Sequence, residues 1–484
     1  MILRNINKKA LEVLALVMIS FSCDLEEVNV NPNNAETAPL SLRLPVAQVN
    51  AVFGIANTAQ FSSIWTQQLT GTLSDFEDVT NYRFLPGFSE FTWSSRLYAG
   101  AMIDLNGIIT EADASGATHI SGVARIIMAM CLGHLVDTFG DVPYTQAFDP
   151  VQFPQPGYDN GSALYTEIQS LLDQAISDLN STSTFSPTNF DLIYPQSSES
   201  EWVTVSAPLW IKTANALRAR YYIHLTKVDA TDAAQNALTA INAGAFVSND
   251  EDAKVSFGPE QAGPWFGFFS STFGQNNIAL CQTFVDLLKN RVAVGVDDPR
   301  AAFYFSNKVS DAVTYGSIDK PAGVNEVGPY LNTLEAPTNL ITYTEVKFIE
   351  AEAHFRLGQF DEAASAFNEA VISSIVKVTG DSDAVYEAAF ASEDATSIQT
   401  NGLEKIFTEK HIALFLEHEN WVDWRRSIPS GAAGTVSGIP SLTPSAKNET
   451  GGAYPRRFLY PQSEVANNSN TPSVSITDKV FWDN

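Results

Sequence analysis

The chain has 484 residues, of which 55 are acidic and 28 are basic, so its formal net charge is −27 at neutral pH. This excess of carboxylates excludes a protein that holds nucleic acid through phosphate contacts, because such contacts need a surplus of lysine and arginine. The hydrophobic content of 45% is ample for a packed core, and no long charged or Gly/Ser-rich linker divides the chain.

The first residues have the features of a secretory signal. A basic head, MILRNINKKA, is followed by the apolar run VLALVMISF, which is too short to span a bilayer. The small residues that precede Cys23 resemble a bacterial lipobox, in which the cysteine becomes the lipidated first residue. We therefore predict a lipoprotein signal peptide over residues 1–22 and a lipidated tether over 23–40. An ordinary signal peptide with an incidental cysteine is the alternative.

Helical periodicity dominates the long segments that follow. Apolar residues recur every three or four positions, which is the spacing of one helix face. The second of these segments contains IIMAMCLGHLV, which is apolar nearly all round and is typical of a buried helix. The predicted helices of this part of the chain begin, in order, at Trp93, Ala124, Tyr165, Pro208 and Asp232.

Three long polar stretches separate the helices and are predicted to be loops, namely Gly71–Phe91, Asn180–Glu201 and Phe257–Asn277. Two of them mix aromatic rings with amides and carboxylates, the groups that stack on sugars and hydrogen-bond to their hydroxyls. The candidate ligand-binding residues are Asp75, Phe76, Asn81, Tyr82, Arg83, Trp265, Phe266 and Phe269. Two alternatives stay open: the rings form small cores that pin the loops, or the loops contact a partner protein.

A second kind of helical signal appears over residues 343–371. The segment YTEVKFIEAEAHFRLGQFDEAASAFNEAV fits two helices joined at Gly358, with the pattern of a tetratricopeptide hairpin. Small Ala363 lets the helices approach, while Phe360 and Phe367 fill the space between them. Such a hairpin cannot bury its own face, so we expect the earlier helices to stack beside it as related pairs.

The two cysteines after Cys23 are predicted to be structural. Cys131 lies within the apolar helix, and Cys281 lies in a second apolar segment. Two buried free thiols are the favoured interpretation, because free cysteine is among the most buried residue types. A disulfide between them is not excluded by the sequence.

No catalytic, metal or cofactor motif is found in the sequence. His411 and His418 lie seven positions apart, and a zinc site there is the weaker alternative to an ordinary amphipathic helix with solvated polar residues. In the same segment Trp421 is predicted to pack in the helix core, while Arg425 and Arg426 pair with acids. The carboxylates of SDFED, which begins at Ser74, keep a glycoside hydrolase open as an alternative, since such enzymes need two facing acids. We predict no catalytic residue, no metal and no cofactor.

Six blocks, in order along the chain, resemble the SusD/RagB family of Bacteroidetes nutrient-binding lipoproteins. They are DTFGDVPYTQAF, PLWIKTANALRARYYIHL, DDPRAAFYF, ITYTEVKFIEAEAHFRLG, EKHIALFLEHENWVDWRRS and PRRFLYPQSEVANN. The acidic DLEE after Cys23 also resembles the surface-export signal of these lipoproteins.

The resemblance implies an all-α fold over residues 41–484, built on tetratricopeptide-like pairs with long loop-rich insertions. It implies a non-enzymatic, lipid-anchored protein on the exterior of the outer membrane that binds an oligosaccharide, or in some branches a peptide. The implied partner is a SusC-like TonB-dependent β-barrel transporter. A structural lid of that transporter with no ligand of its own is a further alternative.

Overall fold

A computed structural model describes residues 38–306, 312–320, 324 and 326–484. The predicted signal peptide, Cys23 and most of the predicted tether lie outside the described residues, so lipidation stays a prediction. The first described helix begins at Leu40, where the tether was predicted to end.

The protein is built mainly of helices, which we number in chain order. The α-helices are α1 Leu40–Trp65, α2 Ser74–Thr80, α3 Ile103–Ser115, α4 Thr118–Phe139, α5 Gly161–Leu179, α6 Glu199–Glu201, α7 Ala207–Ile223, α8 Ala230–Asn242, α9 Pro264–Phe269, α10 Thr272–Asn277, α11 Gln282–Leu288, α12 Ala301–Tyr304, α13 Tyr343–Arg356, α14 Phe360–Thr379, α15 Ala384–Phe390, α16 Ala395–Ala413, α17 Glu419–Ser427 and α18 Gln462–Asn467. Segments with π-type hydrogen bonds are Phe91–Met102 and Trp202–Ser206. The 3₁₀ turns are Pro86–Ser89, Thr188–Phe190, His224–Lys227 and Asn249–Glu251.

Four short strands complete the described part of the chain. They are β1 Leu69–Gly71, β2 Ala253–Val255, β3 Ile278–Leu280 and β4 Thr338–Ile341. They form two antiparallel pairs, β1 with β3 and β2 with β4. The predicted all-α fold is confirmed, with these two small sheets added to it.

Polar caps explain where several helices begin and end. The side chains of Asn160, Asp229 and Thr342 accept hydrogen bonds from the first free backbone N–H groups of α5, α8 and α13. Asp394 begins α16 with a capping box. Gly380 ends α14 in the left-handed conformation, with φ of +87°. These caps fix the ends of helices that apolar periodicity had located only approximately.

The predicted hairpin over 343–371 is confirmed as helices α13 and α14. The chain turns between them at Gly358, which has a φ of +73° that favours glycine. Ala363 is fully buried, and the ring of Phe367 packs 6.3 Å from that of Phe348. The small residue and the ring therefore play the roles that the pattern assigned to them.

The expected stack of related pairs is also confirmed. Helix α4 packs on α5, α5 on α7, α7 on α8, and α8 on α13. Helix α14 then packs on α13 and on α16. Each helix buries one face against the pair before it and another against the pair after it, as repeat architectures require.

Helix α4, the first of this stack, also packs against α1 and α3. It is long and apolar enough to cross a membrane by length and composition, but all of its residues except Thr118 are buried inside the protein. A Cβ atom on Gly133 would lie 2.3 Å from the ring of Tyr221, so this glycine is needed for α7 to pack closely. Cys131 on this helix and Cys281 before α11 are both buried and free, which confirms the favoured prediction of two free thiols.

Two of the three predicted loops contain helical turns. Gly71–Phe91 includes α2, and Phe257–Asn277 includes α9 and α10. The aromatic side chains that suggested a binding loop also supply the apolar contacts that stabilise such short helices. The third stretch, Asn180–Glu201, has only three-residue turns.

The prediction of a solvated helix around His411 and His418 was wrong. Helix α16 ends at Ala413, α17 begins at Glu419, and both histidines are buried. The imidazole of His418 bonds to hydroxyls from α1 and α4, which cover it. The burial follows from helices that are distant in sequence, so the local pattern could not indicate it.

The two arginines of α17 differ from each other. Arg426 pairs with Glu352 at 2.8 Å and Asp423 at 2.5 Å, as predicted. The prediction of an acid partner for Arg425 was wrong. Its guanidinium donates to the backbone carbonyls of Arg456 and Asp137, at 2.6 and 2.8 Å, and lies over the Trp421 ring. Backbone carbonyl oxygens therefore accept the hydrogen bonds of this buried guanidinium in place of a carboxylate.

Candidate functional site

The two aromatic segments selected from the sequence lie side by side. Strand β1, which precedes α2, pairs with β3, which follows α10, in the register Leu69 with Leu280 and Gly71 with Ile278. The pairing continues beyond the strand, because the backbone N–H of Thr72 donates to the carbonyl of Asn277 at 2.8 Å. The small sheet therefore fixes α2 against α10.

An aromatic core joins the two segments beneath the surface. The Phe76 ring of α2 lies 5.6 Å from Phe268, 5.8 Å from Phe273 and 5.5 Å from Phe61. Phe76 itself is only 3% exposed. Burial of this ring stabilises the junction by about 1.5–3 kcal/mol, the usual contribution of a buried large apolar side chain. Phe76 thus anchors the two helices.

The candidate residues divide by exposure. Buried are Phe76, Asn81, Tyr82, Trp265 and Phe269. Asp75 and Arg83 are exposed, and Phe266 is half-buried. The geometry therefore gives the buried group a supporting position and leaves three of the predicted side chains open to solvent.

Asn81 and Tyr82 attach the end of α2 to the C-terminal part of the chain. The amide oxygen of Asn81 accepts from the Ser445 hydroxyl at 2.6 Å, and the Tyr82 ring lies 6.2 Å from that of Tyr454. Tyr82 has a φ of +61°, a left-handed conformation that is uncommon for a ring-bearing residue. Burial raises the pKa of the Tyr82 hydroxyl far above its ordinary value. This tyrosine is therefore a neutral, fixed part of the framework.

Arg83 is engaged by acids of its own neighbourhood. Its guanidinium pairs with Asp78 and lies 3.9 Å from Glu449. The hydrogen bond to Asp78 raises the pKa of Arg83 above its ordinary value. In contrast, no cation contacts Asp75 among the described residues, and its carboxylate accepts only from the neighbouring Ser74 hydroxyl, at 3.4 Å. Asp75 is thus the exposed acid that remains available to a ligand.

The most exposed ring of the junction is one that the sequence reasoning missed. Phe273 is 52% exposed, and Leu73, just before α2, is 54% exposed. The exposed side-chain amides of Gln275 and Asn276 make no hydrogen bond to any described residue. A signal was present in SSTFGQNN, where Phe273 is the single ring with polar or small residues on both sides. We define Leu73, Asp75, Phe273, Gln275 and Asn276 as the α2–α10 face.

A small pocket continues this face. Gln275, Phe269 and Asn332 line it together with Lys320. The ammonium group of Lys320 donates to the carbonyl of Ile278 at 3.0 Å, and burial lowers its pKa. The pocket places a cationic donor and amides beside the exposed ring of the face.

A second concentration of polar residues lies inside the protein. His134, Asp137, Arg220, Glu417, His418 and Glu419 line a cavity of about 50 Å³, together with apolar side chains that include Trp265 and Leu331. We call it the Arg220 cavity. Its volume suits a few water molecules and excludes a sugar ring, because one water needs roughly 10–15 Å³ of such space.

The charges of the Arg220 cavity are paired within it. Arg220 holds Glu345 through Nε and Nη2 at 2.6 and 2.5 Å, and His224 lies 2.6 Å from Glu419. Burial alone would lower the pKa of His224, but Glu419 and Asp137 outweigh it and raise it to about 9. Arg220, His224, Glu345 and Glu419 thus form an ion-paired core.

Two glutamates of the cavity have opposite pKa shifts. Burial raises the pKa of Glu417 to about 7, while its carboxylate accepts one hydrogen bond from Asn339 at 3.0 Å. Burial opposes ionisation of Glu419 too, yet His224 and Arg220 lower its pKa to about 2. Opposed shifts are a feature of acid–base pairs in enzymes. Here the two groups face a space too small for a glycosidic substrate.

The histidines of the cavity are bonded to hydroxyls. Their rings lie 4.4 Å apart, with His134 bonded to Thr58 at 2.9 Å and His418 to Thr138 at 3.1 Å. Burial lowers the pKa of His134 to about 4, so the ring is neutral at physiological pH. No cluster of three His, Cys, Asp or Glu side chains with metal-binding geometry occurs in the part of the chain that the structure describes.

Comparison with known proteins places the chain among surface binding proteins. The model of a SusD-like family, described as "Starch-binding associating with outer membrane", matches residues 32–461. No curated protein matches the sequence.

Solved structures share the fold across nearly the whole chain. A SusD/RagB family protein from Bacteroides thetaiotaomicron is 21% identical, with a TM-score of 0.75 over 92% of this chain and 99% of that one. A chitin-binding SusD homologue from Flavobacterium johnsoniae is 21% identical, with a TM-score of 0.73 over 92% and 98%. A SusD homologue from Bacteroides uniformis is 17% identical, with a TM-score of 0.73 over 92% and 100%.

Proposed function

The chain belongs to the SusD-like family, and from this premise we propose that it captures an oligosaccharide at the cell surface and delivers it to a SusC-like TonB-dependent transporter. The observation that carries the proposal is the family match over residues 32–461, whose description names starch binding and the outer membrane. The chitin-binding neighbour with the same fold supports the same ligand class.

The α2–α10 face supplies the chemistry that a neutral sugar needs. The apolar face of a pyranose stacks on an exposed ring, here that of Phe273, and its hydroxyls take hydrogen bonds from planar polar groups. Gln275 and Asn276 offer amides that no described residue engages, and Asp75 offers a carboxylate without a cation. These four side chains are the ligand contacts that we propose on the α2–α10 face.

The buried residues give this face its rigidity. Phe76 holds Phe273 from below, and the β1–β3 pair fixes the backbone on either side. A ring that is already held in place loses little conformational entropy on binding, which favours affinity. Of the residues predicted from the sequence, we propose ligand contact for Asp75, Arg83 and Phe266. The five buried ones support the face.

The remaining parts of the proposal concern attachment and partner. We propose that Cys23 carries the lipid that anchors the protein to the outer membrane, and that the transporter contacts the protein directly. The acidic surface suits a neutral ligand, because a net charge of −27 repels polyanions at long range. The proposed role is binding alone, without catalysis or a cofactor.

Calorimetric titration of the purified protein tests the proposal. The ligands are maltooligosaccharides, chitooligosaccharides and a peptide pool, and each mixture is checked for cleavage products. We expect binding of an oligosaccharide without cleavage, weakened by about tenfold or more in Phe273→Ala, as for a central aromatic contact.

The matched control is Phe185→Ala. Phe185 is similarly exposed, at 42%, and packs against Phe190 in a different part of the molecule. Cleavage of the ligand would overturn the proposal in favour of a hydrolase, and binding of peptides alone would change the ligand class. Binding that survives in the Phe273 variant would move the site away from the α2–α10 face.

A further inference from the structure

Arg96 lies on a surface that the proposed function does not use. It belongs to the π-type segment Phe91–Met102, which packs along α1. Its guanidinium carbon lies 5.0 Å from the centre of the Phe53 ring and 4.8 Å from that of Phe91. Two aromatic rings therefore hold the guanidinium by cation–π contact. Segments of π-helix are rare and occur often at functional sites.

The orientation of this arginine is fixed by one amide. The side chain of Asn50 donates from Nδ2 to the carbonyl of Gly100 at 2.9 Å. That bond turns its Oδ1 toward Arg96, where it accepts from Nη1 at 2.8 Å. A Cβ atom on Gly100 would lie 2.9 Å from the Asn50 side chain, so the glycine keeps the amide in place. The guanidinium is thus held in a defined position before any ligand arrives.

Within the described ranges Arg96 has no carboxylate partner, which is unusual in a protein with 55 acidic and 28 basic residues. Among the described arginines, only Arg96, Arg425 and Arg457 lack an acid at salt-bridge distance. The other two are buried and donate to backbone carbonyls instead. The Nε of Arg96 is buried without an acceptor, whereas Nη2 has no acceptor among the described residues and is the donor left to a ligand. Burial lowers its pKa, and no nearby acid offsets that effect.

An exposed aromatic ring lies beside Arg96. Phe91 is 52% exposed although Arg96 contacts it. Since Arg96 covers part of the Phe91 ring, a pyranose can pack only against the remaining exposed part, and the guanidinium carbon lies 4.8 Å from the ring centre. In a uronic acid one substituent of the sugar is a carboxylate, which can accept from Nη2 of the guanidinium.

We propose that Arg96, Phe91 and Asn50 form a second binding site, separate from the α2–α10 face, for a carboxylate-bearing sugar. The ring stacks on the sugar, and the preorganised guanidinium binds its carboxylate. The sugar part of this assignment rests on the proposed function, whereas the carboxylate part follows from Arg96 alone. Because the protein is acidic overall, the site suits single acidic units within short or largely neutral chains, and long polyuronates are repelled.

The test is titration of the full chain with trigalacturonic acid and with its methyl ester, which has the same sugar rings without the charges. We expect the acid to bind roughly tenfold or more tightly than the ester, as for a charge-assisted contact. In Arg96→Gln that preference is lost, while Phe91→Ala weakens both ligands. Arg218→Gln is the matched control, since Arg218 is a surface arginine whose partner, Asp173, lies 3.0 Å away.

The outcomes separate this inference from the proposed function. Equal binding of acid and ester, or an acid preference that survives in Arg96→Gln, overturns the second site even where neutral oligosaccharides bind the α2–α10 face. An acetylated Glu-containing tripeptide that binds as tightly as the acid overturns the sugar assignment. If Arg96→Gln does not fold, which circular dichroism shows, Arg96→Lys and Phe91→Ala provide the same comparison, because lysine keeps the charge but loses the fork.

Discussion

The Arg220 cavity and the α2–α10 face are built from the same residue types and serve opposite purposes. Both contain aromatic rings, amides and carboxylates. In the cavity most charges are paired with one another, Glu417 accepts only from the Asn339 amide, and the space admits a few waters. On the face, among the described residues, the two side-chain amides have no hydrogen-bond partner and the Asp75 carboxylate accepts only from Ser74. The comparison teaches that a dense cluster of ionisable groups with shifted pKa values marks a structural core here. Polar groups without such partners beside an exposed ring mark the proposed binding surface.

The substitution that should change the free energy of unfolding most is one that removes a charge from the cavity. Arg220→Met leaves Glu345 buried without its cation and leaves Glu419 with His224 alone. We expect the free energy of unfolding to fall by about 3–5 kcal/mol, the usual cost of breaking a buried ion pair by removing one partner. Urea unfolding measures it.

Arg218→Met is the matched control, two positions away on α7. Its side chain is partly exposed and pairs with Asp173 at the surface. We expect a loss of less than about 1 kcal/mol, as for surface pairs in general. Equal losses in the two variants would contradict the role assigned to the cavity.

The next effect is a pH dependence from Glu417. Its pKa is raised by burial to about 7, from an ordinary value of 4.5. The unfolded chain therefore releases this proton at lower pH than the folded protein does. The folded state loses stability as the pH rises from 4.5 through 7, by roughly 3 kcal/mol in total.

In Glu417→Gln this loss should disappear, which unfolding curves at pH 5 and pH 8 would reveal. The exposed Glu404 provides the same chemical change without burial, so Glu404→Gln should keep the wild-type dependence. An unchanged slope in the Glu417 variant would mean that other groups set the pH dependence.

Substitutions on the α2–α10 face are expected to change the affinity for the ligand and not the stability of the protein. Asp75→Asn and Gln275→Ala each remove one proposed hydrogen bond to the ligand. For Gln275→Ala we expect a loss of about 0.5–1.5 kcal/mol of binding free energy, or a few-fold in Kd, the net contribution of a neutral hydrogen bond, and for Asp75→Asn a loss of about 1.5–3 kcal/mol, since its carboxylate is charged. Calorimetry with the best oligosaccharide of the panel checks it, and unchanged affinity in both variants would remove these side chains from the site.

The smallest expected effect sharpens the contrast between buried and exposed rings. Phe273→Ala should change the free energy of unfolding by at most about 0.5 kcal/mol, as for surface substitutions. Phe76→Ala, in contact with it, should cost about 3–5 kcal/mol because it opens a cavity. The two values come from the same denaturation experiment. Similar losses would show that Phe273 belongs to the core of the junction.

Much of the fold could be predicted because its signals are local. The helix that begins at Tyr165 was located by its apolar periodicity, and the structure extends it by four residues to the Asn160 cap. The hairpin over 343–371 was located because Gly358 and Ala363 have specific geometric roles. The same dependence on local signals explains why three short helices were not predicted. Helices α2, α9 and α10 have six or seven residues each, too few for a periodic pattern to stand out.

The sequence located the two segments of the candidate site but identified only some of its residues. The sequence directed attention to the two aromatic stretches that β1 and β3 bring together. It gave no means of telling Phe76, which is buried, from Phe273, which is exposed. Both rings lie in polar surroundings along the chain, and only the packing of α2 on α10 decides which of them faces solvent.

The sequence by itself determined the helical class, the tetratricopeptide-like hairpin and the SusD-like family. Each of these depends on residue types at short spacing or on blocks in order along the chain. The tertiary structure decided which polar residues are buried and which are free. His418 bonds to Ser62 and Thr138, which lie 356 and 280 positions earlier, while Arg96 meets two rings and no acid. Burial and pairing depend on contacts between distant segments, and those contacts exist only once the helices have packed.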